Sequence, residues 1–333
     1  VENDRNGRVL KKLVTILMGG ISGEHYLSRR SGENIFLNID RSKYDVRNLI
    51  WMQDGSFELG KLNSLNGTAC RYRDLKEAFF SLKTDVLFNA LHGDAEGDGK
   101  LNGLLELLRI PYTGNRFYTC FAGMNKFISK LLFQHLDLLT PEFITVNKDS
   151  LDDISGFTFP CVIKPSGSGS SLGVRPCPDL PSARSWIKTL FERGFHDILV
   201  EEYIHGREYS VGILGRYDQP DSEKIVFPVG CISYDGAAFD EQCKFNNKYH
   251  TVIPSGLPVD QEKKLKDISL LVHHFFAFEG ISRTDFLVAG KDAYLLEVNT
   301  HPGLAPHSII TAMIGRSTMT LSRVIDFLIQ FAV

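Results

Sequence analysis

Apolar runs and polar breaks alternate along this chain closely enough to outline its elements. Lys-Lys-Leu-Val-Thr-Ile-Leu at 11–17 is the pattern of a buried strand, and it enters the glycine-rich turn Met18–Glu24. A helix is predicted from about Ser28 to Asn38, and strands at Tyr44–Trp51 and Val86–Ala90. The polar turn Leu91–Gly99, a helix over Asn102–Leu108 and a strand end with a turn at Ile110–Gly114 follow. Strand, glycine turn and helix in this order begin an α/β layer.

Asn125–His135 has helical amphipathic spacing. Phe159–Lys164 reads as a strand entering the Gly/Ser loop Pro165–Gly173, with a helix over 181–193. Strands are predicted at Asp197–Tyr203, Glu208–Leu214 and 223–234, a helix at Asp260–Phe276, a hairpin of Arg283–Leu287 with Ala293–Val298, and a closing helix at Met319–Ala332. Asp235–Thr251 is polar and aperiodic, and connections of that length are often lids. The organisation expected is three units, 1–114 (with 1–10 a polar tail), 115–201 and 202–333.

Composition narrows the function classes. With 43% hydrophobic and 23% charged residues the chain has material for buried cores, which excludes global disorder. Its 37 basic and 40 acidic side chains imply neither nucleic acid nor an anionic membrane as partner. No apolar run approaches the ~20 residues that span a bilayer, and the polar start Val1–Leu10 is not a signal peptide. The chain lacks an initiator Met and is expected to be trimmed or excised from something longer. The six cysteines (Cys70, Cys120, Cys161, Cys177, Cys231, Cys243) show no C-x-x-C spacing. They read as reduced thiols of a cytoplasmic protein and argue against structural zinc.

The hairpin carries the most chemistry. A turn over Ala289–Ala293 centred on Lys291 puts Asp285 opposite Glu297 and Arg283 opposite Asn299, all on one face. Thr284, Phe286, Leu296 and Val298 then take the other face. Two carboxylates directly across strands repel unless a cation sits between them. Asp, Glu and Asn oxygens suit Mg²⁺ that also touches phosphates; a surface patch neutralised by Arg283 is the other reading. Lys164 before the Gly/Ser loop is a phosphate-wrapping arrangement, although neither Walker A nor G-x-G-x-x-G, and a flexible linker has the same composition. Glu201 and Glu208 flank a strand-to-strand connection, where a flat heterocycle fits but an exposed acidic turn also would. Gly19–Glu24 and His92 lie at the carboxyl ends of predicted strands, where ligands bind in open α/β sheets.

The order of these features resembles the ATP-grasp ligases, and within them the D-alanine–D-alanine ligases. The matching segments are "GGISGEH", "ALHGDAEGDGKLNGLLELLRIPYTGN", "MNKFISK", "VIKPSGSGSSLGV", "LVEEYIHGREYSVGILG", "SRTDFL" and "YLLEVNTHPGLAPHS", within roughly 12–332. The resemblance implies an ATP-grasp α/β fold: an N-terminal parallel α/β unit, then two α+β units that sandwich ATP. It implies that two D-alanines are joined through an acyl phosphate to D-alanyl-D-alanine for peptidoglycan. Related acceptors are D-lactate and D-serine, and the chain could also be the ligase part of a fusion. A catalytically dead nucleotide module disagrees with the intact Lys, Arg, Asp, Glu and Asn set. By resemblance, Lys126, Lys164 and the loop with Ser171 hold the ATP phosphates, and Glu201, Glu208 and the backbone of Glu202, Tyr203 and Ile204 hold adenine and ribose. Asp285, Glu297 and Asn299 hold two Mg²⁺, with Mn²⁺ an alternative. Arg283 and the Gly303 N–H stabilise the oxyanion. Glu24 receives the first substrate's ammonium, His92 lies near its carboxylate, Ser170 links Glu24 to the lid, and Ser308 receives the second carboxylate. A homodimer is implied, with no nucleic acid or membrane as partner. Two positions depart from the pattern. In Phe239–Phe245 the lid lysine is kept as Lys244, but Phe245 replaces a tyrosine, and Tyr26 stands where the family often has an acid.

Overall fold

The computed structural model describes residues 11–93, 98–169, 171–234 and 249–333. Three sheets organise them. The first has the order β4-β3-β2-β1-β5, from strands β1 (Lys12–Gly19), β2 (Tyr44–Trp51), β3 (Phe57–Gly60), β4 (Thr68–Tyr72) and β5 (Val86–Asn89). β2, β1 and β5 are parallel, and β3 and β4 add an antiparallel edge. The apolar run of β1 is buried from Val14 onward because α1 (His25–Asn38) covers one face and the other packs on Leu87, Leu101 and Leu105. The sequence reading missed β3 and β4: β3 alternates over only four residues, and β4 is nearly all exposed. Helix α1 begins three residues before the expected start.

The second sheet has the order β6-β9-β7-β8 and is antiparallel throughout, from β6 (Phe143–Val146), β7 (Cys161–Pro165), β8 (Arg175–Cys177) and β9 (Ile198–Glu202). Helix α2 (Leu180–Glu192) covers it, opened by a capping box at Asp179 with Pro181 in its first turn. The third sheet runs β13-β12-β10-β14-β15 from β10 (Arg207–Arg216), β12 (Gly230–Tyr234), β13 (Tyr249–Val252), β14 (Glu279–Ala289) and β15 (Asp292–Asn299); β11 (Ile225–Val226) pairs with β10. Phe227–Val229 breaks the strand expected over 223–234 into two. The closing helix α3 (Leu321–Gln330) turns back onto the first unit, and Val324, Ile325 and Leu328 share a core with Val14, Ile35 and Val46.

The hairpin register departs from expectation in an instructive way. Its turn is tighter, Ala289 facing Asp292 around Gly290, whose φ of +62 favours glycine. A bulge at Leu296 then restores the expected pairing beyond it, so Asp285 still faces Glu297 and Arg283 still faces Asn299. The inward face is therefore corrected: Leu295, fully buried, and not Leu296 packs with Phe286.

Candidate functional site

Lys126 opens helix α4 (Lys126–His135), where Asn125 caps the helix by accepting from the Ile128 N–H at 3.2 Å. The Lys126 side chain is nearly buried, and its Nζ lies 3.3 Å from Glu297 Oε2 and donates to the Ser168 carbonyl at 2.5 Å. One ammonium thus ties the Gly/Ser loop to the hairpin. Lys164 closes β7, where its Nζ sits 2.7 Å from Glu201 Oε2. The loop behind it is held by its own backbone: Leu172 N–H donates to Gly169 at 3.0 Å, and Val174 N–H to Ser171 at 3.2 Å. Ser171 adopts φ +58.

On the hairpin, Arg283 grips Asp285 two-handed, Nε to Oδ1 at 2.8 Å and Nη2 to Oδ2 at 2.6 Å. Ser210 Oγ donates to the same carboxylate at 2.5 Å. The two facing carboxylates therefore each have a cation of their own, Arg283 for Asp285 and Lys126 for Glu297. Burial works to raise the Glu297 pKa, but Lys126, Lys164 and Arg283 outweigh it and hold it down at about 2. The Arg283 pKa is raised: burial opposes its charge, and Asp285, Glu297 and Glu208 overcome it. Asn299 Oδ1 accepts from the His301 N–H at 3.0 Å. Lys126, Lys164, Arg283, Asp285, Glu297 and Asn299 thus converge at one side of the hairpin, with Glu208 near enough to act on Arg283.

Glu201, expected beside adenine and ribose, lies in β9 (Ile198–Glu202). Its carboxylate is buried between two lysines, Lys164 and Lys130, the latter at 2.9 Å. Burial would raise its pKa, yet the two ammoniums keep it below the ordinary carboxylate value. Lys130 was missed in the sequence, although it lies one helical turn beyond Lys126 and so on the same face. Beyond Glu201 the chain crosses to β10 through Tyr203 and Ile204, both half-buried. Glu202 is exposed, and its N–H is already given to the Glu142 carbonyl at 2.8 Å.

The first unit supplies the opposite wall. Glu24 precedes α1 at the end of the Gly19–Gly20 turn, and a Cβ placed on Gly169 would come within 3.8 Å of its Oε1. Ser22 Oγ donates to the His92 carbonyl at 3.1 Å, joining the two strand ends. His92 Nε2 lies 2.9 Å from Ser31 Oγ, and its ring is so close to Gly303 that a Cβ there would meet Nε2 at 3.0 Å. Gly303 is therefore the residue that lets the loop after β15 lie against His92. Ser308 caps the helix α5 (Ile309–Gly315), accepting from Thr311 N–H at 3.3 Å and donating to Thr311 Oγ1 at 2.9 Å. Ser170, Lys244 and Phe245 lie outside the described residues.

No helix among the described residues is long and apolar enough to cross a membrane. A family model described as the D-ala D-ala ligase N-terminus matches residues 13–115, and one described as the D-ala D-ala ligase C-terminus matches 132–330. Among curated relatives, D-alanine–D-alanine ligases of Ruminiclostridium cellulolyticum and Geobacillus thermodenitrificans are 30% and 29% identical, each over 97% of this chain and 95% and 96% of theirs. Among solved structures, the VanG D-Ala:D-Ser ligase of Enterococcus faecalis superposes with a TM-score of 0.81 at 25% identity, covering 97% of this chain and all of the other. The D-alanine–D-alanine ligase of Bacillus anthracis complexed with ATP gives 0.74 at 25% identity, over 96% of this chain and 97% of that one.

Proposed function

We propose that this chain, which belongs to the D-alanine–D-alanine ligase family and has its ATP-grasp fold, uses ATP to join two D-alanines into D-alanyl-D-alanine for peptidoglycan. The observation that carries the reading is the convergence of Lys126, Lys164 and Arg283 with Asp285, Glu297 and Asn299 beside the Gly/Ser loop. In the proposed reaction the first D-alanine's carboxylate oxygen attacks the γ-phosphorus, and ADP leaves. The second D-alanine's neutral amine then attacks the acyl carbon, the C–O bond to phosphate breaks, and the proton lost by the amine leaves on the departing phosphate.

Asp285, Glu297 and the Asn299 amide offer the hard oxygens that Mg²⁺ takes, and they would hold two ions by giving up part of their contacts with Arg283, Lys126 and the His301 N–H. When bound, the ions neutralise charge on the transferring phosphoryl group. The chain's own groups do the remaining work. Lys126 and Lys164 orient phosphate oxygens, and Arg283, already preorganised by Asp285, offers its remaining N–H groups to the oxyanion with the Gly303 N–H. Glu24 takes the first substrate's ammonium, beside His92, and Ser308 takes the second carboxylate. A cytoplasmic homodimer completes the reading.

Phosphate release with ATP and Mg²⁺ tests it. D-Alanine should stimulate release and L-alanine should not; equal stimulation by both enantiomers would remove the substrate assignment. A panel with D-serine and D-lactate as second substrate identifies the acceptor.

A further inference from the structure

The face of α4 that carries Lys126 also carries Lys130, whose side chain is completely enclosed. Its ammonium touches Glu201 Oε1 at 2.9 Å, donates to Thr140 Oγ1 at 2.5 Å, and lies 5.2 Å from the Phe143 ring centroid. Thr140 Oγ1 in turn donates to the Leu295 carbonyl at 2.8 Å, two residues before Glu297 and next to the hairpin bulge. Glu201's other oxygen holds Lys164 at 2.7 Å. A buried lysine is costly unless its charge is used. None of the roles assigned above needs Lys130 to touch a substrate.

We infer that Lys130 is a positioning residue for ATP: it neutralises Glu201, so that the Lys164 charge is left for phosphate, and it links the second sheet to the hairpin. The charge count gives the reason. Glu201 alone would cancel Lys164, leaving the pair neutral. With Lys130 added the triad carries one net positive charge, available to a polyanion beside the Gly/Ser loop that follows Lys164. Burial depresses the Lys130 pKa to about 8, with Lys164 adding to the effect and Glu201 opposing it. Glu201 and Lys164 are the titratable groups that act on Lys130. Raising the pH through about 8 therefore removes the surplus charge. The inference rests on the reading that Lys164 serves ATP.

The test compares wild type, Lys130→Met, Lys130→Arg and the pair Lys130→Met with Glu201→Gln. Binding of a non-hydrolysable ATP analogue is measured directly with magnesium, beside KM for ATP and kcat, from pH 6.5 to 9.5. Wild-type affinity should fall as pH rises through about 8, and Lys130→Met should be weaker by roughly tenfold at pH 7 and lose that inflection. The loss should lie in KM more than in kcat. Lys130→Arg should keep most of the affinity. The double variant should recover part of it, because Lys164 is no longer cancelled. A thermal melt of each variant shows whether it folds; if Lys130→Met is unfolded, the arginine and double variants still decide. Unchanged ATP affinity and an unchanged pH profile in folded Lys130→Met would overturn the inference. Absence of analogue binding by wild type would instead overturn the ATP reading beneath it.

Discussion

At the scale of single residues, the facing carboxylates are the feature whose meaning the structure alters most. Sequence spacing set Asp285 against Glu297 and made repulsion the issue. The pairing is real, but each carboxylate has its own cation, so Glu297 sits in a positive surrounding and not beside an unanswered negative charge. Removing it should therefore cost stability. The sign follows from linkage: a carboxyl whose folded pKa lies near 2, below its model-peptide value of 4.5, contributes stability that is complete above the higher value and lost as pH falls through the lower. Its side chain is one-third exposed, so solvent screening limits the contribution to about 1 kcal/mol. Glu297→Gln should abolish turnover, lower apo stability at pH 7 by about that amount, and flatten the stability profile between about pH 4.5 and 2. Urea melts across that pH range check it; an apo protein made more stable by the change would show that repulsion from Asp285 dominates after all.

At the scale of elements, the hairpin bulge decides which leucine belongs to the core. Leu295 is fully buried opposite Phe286, whereas Leu296 is half-buried on the side of the bulge. Leu295→Ala should cost about 2–5 kcal/mol and Leu296→Ala less than about 1 kcal/mol, read as midpoint shifts in denaturant at constant slope. Equal costs would mean that the strand alternates without a bulge. The same hairpin marks what the sequence could tell. The Asp285–Glu297 and Arg283–Asn299 pairs match the expected ones because two departures cancel: the tighter turn slips the register by one residue and the bulge at Leu296 slips it back. A bulge inserts one residue and leaves no compositional trace, so the inner face could not be read past it. β1 was legible because its apolar run is continuous and α4 because its apolar positions recur at helical spacing. β3, β4 and β8 were not, being only three to five residues long. In the site, Lys126, Lys164 and Arg283 announced themselves through neighbouring motifs. Lys130 did not, since only the fold brings β9 over that face of α4 and gives an enclosed lysine its counter-ion.

At the scale of the whole molecule, the loop after β15 is a second place, beside the core shared with α3, where the first and last units are fastened, and that fastening sets the position of Gly303. Asn115, fully buried, donates to the Thr300 carbonyl at 2.6 Å and accepts from the Glu279 N–H at 2.7 Å. His301 Nε2 reaches the Asn89 carbonyl at 2.7 Å, and Asn34 donates to the Leu304 carbonyl at 2.6 Å. Burial lowers the His301 pKa, with only the Asn89 contact opposing it, so the ring is neutral at neutral pH and acts as a hydrogen-bonding strut. Thr300–Leu304 is thus held from three points on the first unit and its connection, with Gly303 against His92 at the centre. The Lys126, Lys164 and Glu201 contacts are not part of this set. Asn115→Ala leaves a buried N–H and a buried carbonyl without their partner, a loss of about 2–4 kcal/mol. The loop should shift away from the position that presents the Gly303 N–H, while the lysines keep theirs. The variant should therefore lose kcat by at least tenfold with KM for ATP changed less than threefold, in a protein that still unfolds in one transition at a lower midpoint. Steady-state kinetics at a temperature below the variant's melt separate the two constants. A proportional rise in KM for ATP would mean that the fastening positions the nucleotide cleft as a whole, and an unchanged kcat would mean that the loop keeps its place through His301 and Asn34 alone.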